Sequence, residues 1–165
     1  RPTGGGNVFH DVDLTYTAVI PAGHPITALD RMESYRIFHE AMLPMLEELG
    51  AHAALKRDES AHVDRRTMQC FTAPSRFDVV ADDGAKYAGA AQRRTRNGIL
   101  HQGSIRLTVA GGEWEKLEEA LLKALKHHFN AELIPFTPPA ELLDRAELLA
   151  RTKYETAGWN CGAQS

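Results

Sequence analysis

Leu14, Tyr16, Ala18 and Ile20 alternate with Thr15, Thr17 and Val19, the period of a half-buried strand over residues 13–20. Pro21 and Pro25 interrupt it. Thr27 followed by Asp30 has the spacing of a capping box and predicts a helix start. Leu29, Met32, Tyr35, Phe38, Met42, Met45 and Leu49 then recur at intervals of three and four, as one helix face requires, and Pro44 is expected to kink or break that helix near Leu43. Ala51 to Leu55 predicts a short strand, and the polar stretch from Lys56 to Thr67 a loop.

Phe77 to Ala81 reads as a strand, Asp82-Asp83-Gly84 as a turn, and Lys86 to Thr95 as a second strand. Asn97-Gly98 is a hairpin signal. Beyond it, Ile105, Leu107 and Val109 are expected on one face of a third strand, with Ser104, Arg106 and Thr108 on the other. The result is an antiparallel meander. Two amphipathic helices follow. Trp114, Leu117, Leu121, Leu125 and Phe129 form the stripe of the first, with Lys126, His127 and His128 at the negative end of its dipole. Pro138-Pro139 opens the second, with Leu142, Leu143, Ala146, Leu149 and Ala150 facing inward. Strands grouped around hairpins with helices outside them predict an α+β fold: a mixed, largely antiparallel sheet flanked by helices.

Composition narrows the function classes. At 165 residues with 43% hydrophobic side chains, the chain is long enough to bury the core of one domain, taken as residues 1–165. A net charge of −3 gives no electrostatic reason to expect nucleic acid, and Arg93, Arg94 and Arg96 make only a local basic spot. The two cysteines, Cys70 and Cys161, are too few for a disulfide framework, and no apolar run approaches the roughly 18 residues of a membrane span. A cytoplasmic protein without a membrane partner is expected. The eight histidines include no His-x-x-x-His, and Cys-x-x-Cys is absent too, so no metal site is expected. His127-His128 reads as a solvated helix end, and Cys161 as incidental.

The candidate chemistry centres on Cys70 and on Lys86, sixteen residues later. A thiol attacks as its thiolate, so an ammonium beside it would lower its pKa and create an acyl-transfer site that needs no ATP. Taken alone, a single thiol is more often a buried small hydrophobe, and a lysine a solvated surface charge. Two features favour the sharper reading. Lys86 leads a strand of small residues, Ala88 to Ala91, which leaves room for a ligand against the sheet, and Leu100-His101-Gln102-Gly103-Ser104 adds polar groups across the hairpin. Gly4-Gly5-Gly6 supplies backbone amides that can approach an oxygen, without the pattern of a Walker A or dinucleotide loop.

Arg1-Pro2-Thr3-Gly4-Gly5-Gly6-Asn7-Val8-Phe9-His10-Asp11 resembles the signature loop of the biotin and lipoate protein ligase superfamily. The resemblance recurs at Lys86-Tyr87-Ala88-Gly89-Ala90-Ala91-Gln92, at Leu100-His101-Gln102-Gly103-Ser104-Ile105, and at Lys153-Tyr154 with Trp159-Asn160. Cys70-Phe71-x-Ala73-Pro74-Ser75 is similar to the cysteine-bearing octanoyltransferases and amidotransferases of that superfamily. The resemblance implies a class II synthetase-like catalytic fold, and family elements upstream of the glycine loop that are absent here. It makes Cys70 the acyl-carrying nucleophile and Lys86 its cationic partner. Arg1, Gly4, Gly5, Gly6, His10, Gly89, Gln92, His101, Gly103 and Ser104 are then the substrate-binding positions. The implied reaction moves octanoyl from octanoyl-acyl carrier protein to a lysine of a lipoyl domain, such as glycine cleavage H protein or a 2-oxoacid dehydrogenase subunit, with no cofactor. Ala88 to Ala91 would floor the acyl slot, and His10, His101 or Lys86 would deprotonate the acceptor. The alternatives are an ATP-dependent lipoate or octanoate ligase, an amidotransferase using octanoyl-H protein, and a non-catalytic lipoyl-binding protein.

Overall fold

The computed structural model describes residues 12–58 and 74–161. Arg1, Gly4, Gly5, Gly6, His10, Cys70 and most of the predicted polar loop lie outside the described residues. By internal contacts the chain forms two compact units, Arg1–Glu132 and Leu133–Ser165.

The first unit is built on a five-stranded sheet in the order β1-β5-β4-β3-β2, formed by β1 (Asp13–Pro21), β2 (Ala54–Leu55), β3 (Val79–Val80), β4 (Lys86–Thr95) and β5 (Gly98–Arg106). Every described pairing is antiparallel. The alternation read in β1 places Leu14 and Ile20 in the core, leaving Thr15, Thr17 and Val19 exposed on the opposite face. Register carries that division across the sheet, because Leu14, Tyr16, Ala18 and Ile20 stand opposite Ile105, Gly103, His101 and Ile99.

Three helices of this unit follow the hydrophobic pattern with local departures: α1 (Arg31–Glu40), α2 (Met42–Glu48) and α3 (Trp114–His128). The N-cap of α1 is Asp30, not Thr27: Asp30 Oδ1 accepts from Glu33 N at 2.9 Å, whereas Thr27 Oγ1 donates to His24 O and closes a separate 3₁₀ turn at Pro25–Ala28. The break expected near Leu43 falls at Ala41. A proline clashes with the carbonyl four residues back, so Pro44 disturbs the helix at Glu40 and is itself accommodated in the first turn of α2. Met42, Met45 and Leu46 of α2 pack with Leu117 and Leu121 of α3 against Leu14, Val79, Ala88 and Ile105 of the sheet.

The third strand also stops earlier than its apolar pattern implies. Residues Leu107–Ala110 form a 3₁₀ turn, from which Val109 still reaches the core holding Ile105. The predicted strand at 77–81 contracts to Val79–Val80, and the two residues joining β4 to β5 are Arg96 and Asn97, with Gly98 already paired at φ 132°. Trp114, assigned to the α3 stripe, is exposed at the helix start. That helix ends in a Schellman arrangement: Ala131 N bonds Lys126 O, Asn130 N bonds His127 O, and Asn130 takes the left-handed φ of 47° usually given to glycine.

The second unit holds α4 (Ala140–Leu149), a π-helical turn at Ala150–Tyr154 and α5 (Ala157–Cys161). Pro139 is the N-cap of α4. The inward face expected for α4 is not formed within this unit, where none of its residues is buried; a stripe of leucines needs a partner surface before it becomes core. Lys153 Nζ lies 5.1 Å from the ring of Tyr154 and 4.9 Å from that of Trp159. No helix among the described residues is long and apolar enough to cross a membrane.

The cap of α1 is open to direct measurement. Asp30→Ala is expected to cost about 1 kcal/mol, read as a fall of roughly 2–4 °C in Tm for a domain of this size. An unchanged Tm would remove Asp30 from the account of where α1 begins.

Candidate functional site

A tight turn and a register slip put Lys86 where it is. Gly84, at φ 83°, donates from its N to Ala81 O at 2.9 Å, and Ala85 N is held by Asp83 Oδ1 at 2.9 Å. Past the turn, Val80 pairs with Lys86 but Val79 pairs with Ala88, so Tyr87 is an extra residue in β4. Such a bulge re-aims the side chains beside it. The Lys86 chain folds over Gly89, where a Cβ would overlap its Cε and Nζ. Its ammonium is buried, with 7% of the side chain exposed, and lies 2.7 Å from Asp78 Oδ2.

Asp78 is wholly buried and heavily engaged. Tyr35 donates its hydroxyl to Asp78 Oδ1 at 2.5 Å, and Ser75 donates its backbone N–H to Oδ2 at 2.6 Å. The same Tyr35 oxygen accepts from Ala90 N at 2.9 Å, occupying a β4 amide beyond the end of short β3. Burial first, and the charge of Asp78 second, hold the Tyr35 phenol well above its ordinary pKa, so it stays a donor. His39 Nδ1–H donates to Phe77 O at 2.6 Å. Its Nε2 is buried with no hydrogen-bond partner among the described residues, and burial lowers the ring's pKa to about 4.

A second polar group occupies the helix-covered face. Arg94 donates to Ser34 Oγ, Ser34 Oγ donates to Gln92 Oε1 at 3.0 Å, and Gln92 Nε2 donates to His101 Nδ1 at 2.9 Å. With Nδ1 accepting, the His101 proton sits on Nε2 and is donated to the Tyr16 hydroxyl at 3.0 Å. Phe38 stacks on the imidazole at 4.2 Å between centroids. Burial, and then the neighbouring His39, lower the pKa of His101 to about 3. Gly103 is required beside it because the Tyr16 ring fills the space a Cβ would take.

The predicted site residues therefore separate into two sets. Gly89 stands opposite Ser104, with the Lys86 chain over it, and Ser104 donates to Asp13 on the same face. Gln92, His101 and Gly103 point to the other face, against α1 and Tyr16. Strand alternation likewise divides the expected acyl floor: Ala88 is in the core, and Gly89 and Ala91 point the opposite way. Both ring nitrogens of His101 are engaged, which leaves that ring no lone pair for an incoming lysine.

Tyr16, Tyr35, His39 and Asp78 are the residues that the sequence reading missed. Asp78 carried a usable signal, an acid at the head of an apolar strand that a tight turn pairs with the strand led by Lys86. Tyr35 falls in the apolar stripe of α1, where spacing gives its hydroxyl no separate signal. Among the described residues no group of three or more His, Cys, Asp or Glu side chains forms a metal site. A depression of about 230 Å³ lined by Thr27, Arg94 and Arg96 lies by the β4–β5 turn and does not include Lys86.

A helix-backed antiparallel sheet agrees with the comparisons to known proteins. The chain belongs to the lipoyl protein ligase A/B catalytic domain family, whose model matches residues 1–135. Among curated proteins it is similar to octanoyltransferase LipM of Geobacillus kaustophilus (strain HTA426), at 32% identity over 201 residues covering 97% of this chain and 72% of that protein. Among solved structures, protein Ta0514 of T. acidophilum with bound lipoic acid superposes with a TM-score of 0.74 at 20% identity, over 97% of this chain and 69% of that one. The bi-partite lipoate protein ligase of Thermoplasma acidophilum, described with its E2 lipoyl domain, gives a TM-score of 0.72 at 19% identity, over 100% and 70%. These two structures share the fold.

Two measurements probe the site. Gly89→Ala is expected to displace the Lys86 ammonium while leaving the extended backbone of β4 intact. Activity should fall about tenfold and Tm should fall too, because the displaced ammonium leaves the buried Asp78 carboxylate unpaired; full activity would show that Lys86 does not need the bare Cα. The two imidazoles set a pH dependence. Their folded pKa values are depressed to about 4 and about 3, so their stabilising effect is complete above the ordinary histidine range and is lost as pH falls toward those values. Each ring taken up by a proton on unfolding contributes up to about 1.4 kcal/mol per pH unit. Urea unfolding from pH 7 to pH 4.5 should show that decline, and a flat profile would mean the rings are not buried neutral.

Proposed function

We propose that the protein is an octanoyltransferase that moves an octanoyl group from acyl carrier protein to a lysine of a lipoyl domain through a thioester on Cys70. The observation that carries this reading is the buried Lys86 ammonium lying over Gly89 in a chain that matches octanoyltransferase LipM along nearly all its length. The lipoyl-domain acceptor is supported by the E2 lipoyl domain that accompanies the structurally similar archaeal ligase.

In the first step the Cys70 thiolate attacks the donor thioester carbonyl. The new C–S bond forms, the tetrahedral intermediate collapses, and the carrier thiolate leaves. Lys86 supplies positive charge that favours the Cys70 thiolate and stabilises the developing oxyanion. In the second step the acceptor amine attacks the octanoyl-Cys70 carbonyl. The C–S bond breaks, an amide forms, and the expelled sulfur takes the amine proton, which regenerates the thiol. One thioester is exchanged for another at little cost, and aminolysis runs downhill, so no nucleotide enters.

Lys86, held against a carboxylate, serves here as a cation rather than as the base. His101, with both nitrogens engaged, serves the scaffold. On the outer face Thr15, Thr17 and Gln102 are exposed and polar, and Val19 is an exposed apolar residue among them. An eight-carbon chain needs an apolar slot, so the rest of its lining is assigned to segments beyond these strands.

The test is direct. The protein incubated with octanoyl-acyl carrier protein in the absence of ATP should gain one octanoyl group on Cys70, seen by intact mass and peptide mapping. Cys70→Ala should abolish both adduct and turnover, and Lys86→Met should slow acylation on the order of 10²-fold. Absence of an adduct together with activity that requires ATP would sink the transferase reading.

A further inference from the structure

Asp78 closes two loops at once. Through Oδ2 it meets Lys86 Nζ at 2.7 Å and Ser75 N at 2.6 Å, and through Oδ1 it accepts from Tyr35. Its own N–H donates to Ser75 O at 3.0 Å, closing a turn over Ser75, Arg76, Phe77 and Asp78. Ser75 lies five residues after Cys70. One buried carboxylate thus holds the candidate cation and the chain that leaves the candidate nucleophile.

The turn supplies an independent observation. Phe77, its third residue, has φ 67°, a left-handed conformation that turns of this shape normally give to glycine or asparagine. A bulky residue stays there only when its surroundings over-determine it. They do so here: His39 Nδ1–H binds Phe77 O, Phe77 N donates to Lys56 O at 2.7 Å, and the Arg76 guanidinium lies 4.7 Å from the centre of the Phe77 ring. The strained residue immediately precedes Asp78. A relaxed turn would not need three separate restraints.

We infer that Asp78 is a positioning residue for acyl transfer, acting through Lys86 and the Ser75 turn to keep the ammonium charged and fixed at the head of β4. The inference rests on the octanoyltransferase reading. Among the described residues the groups facing the carboxylate are Tyr35 and His39 from α1, the Ser75 amide from the turn and Lys86 from β4. Only Lys86 among them carries a full positive charge toward it. A buried ammonium deprived of this counter-charge sheds its proton or swings out to water, and either response removes the fixed cation on which the proposed reaction depends.

The experiment uses the full chain with Cys161→Ser, so that Cys70 is its one remaining thiol. The rate of alkylation by iodoacetamide is followed from pH 5.5 to pH 9.5, beside single-turnover octanoylation. The parent is expected to alkylate with a midpoint below the ordinary thiol value of about 8.5, and Lys86→Gln to raise that midpoint by about one pH unit. Asp78→Asn keeps the shape and one acceptor oxygen, replaces the other oxygen with an amide donor and removes the charge. It should reproduce the Lys86→Gln profile and slow octanoylation at pH 7 about tenfold. A folded Asp78→Asn protein with the parent's profile and rate would overturn the inference, because loss of a purely structural hydrogen bond lowers Tm without moving thiol ionisation. If Asp78→Asn does not fold, Asp78→Glu decides: the profile should stay, kcat should fall about tenfold and KM for the octanoyl donor should not change. An unchanged kcat would overturn the inference. Failure of the underlying reading is separate, since it shows as a parent protein that forms no octanoyl-Cys70.

Discussion

A buried charge pair sets the terms for the rest of this structure. Placing the Lys86 ammonium and the Asp78 carboxylate in the protein interior carries a large desolvation cost, offset only when the geometry is close and the remaining lone pairs are filled. Nearly every unusual local feature nearby serves that condition. The bulge at Tyr87 aims the lysine, glycine at position 89 leaves its chain a path across the strand, and Tyr35 and the Ser75 amide complete the carboxylate. A pair of this kind contributes little net stability compared with an apolar substitute. Its retention in a small domain is understandable if the charge is used.

The sheet separates chemistry from support. Successive residues of a strand point to opposite faces, so a contiguous motif such as Lys86 to Gln92 is divided between them. Gly89 and the Lys86 chain fall on one face with Ser104, while Ala88 enters the core and Gln92 joins the Arg94–Ser34–His101–Tyr16 network beneath α1. That network is fully hydrogen-bonded along its length and dry enough to keep His101 neutral. Buried polar chains that are satisfied in this way stiffen the elements they join. Here they tie β4 and β5 to α1, the helix that also carries Tyr35 to Asp78.

Much of this was legible in the residues. The strands at Asp13–Pro21 and Lys86–Thr95 follow their alternation and turn chemistry, and the apolar stripe of α3 follows its 3.6 period. Local errors arose where two signals competed. Thr27 and Asp30 both suit a cap, and the proline-led 3₁₀ turn took the first of them. Leu107 to Ala110 kept an apolar pattern after the strand had ended, because a 3₁₀ turn returns Val109 to the same core. For α4, amphipathicity marked a helix but could not name the surface that covers it.

Residue types and spacing were enough to indicate an antiparallel α+β domain and to single out Lys86 behind its tight turn, while the ligase family entered through the resemblance of its motifs. These are properties of short stretches, set by backbone sterics and hydrophobic period. The partner of Lys86 was another matter. Asp78, Tyr35 and the Ser75 amide come from three separate elements, and their meeting depends on packing α1 against the sheet and on a one-residue slip between β3 and β4. Neither is written in a local pattern, because hydrogen-bond satisfaction of a buried charge is a condition on the whole fold.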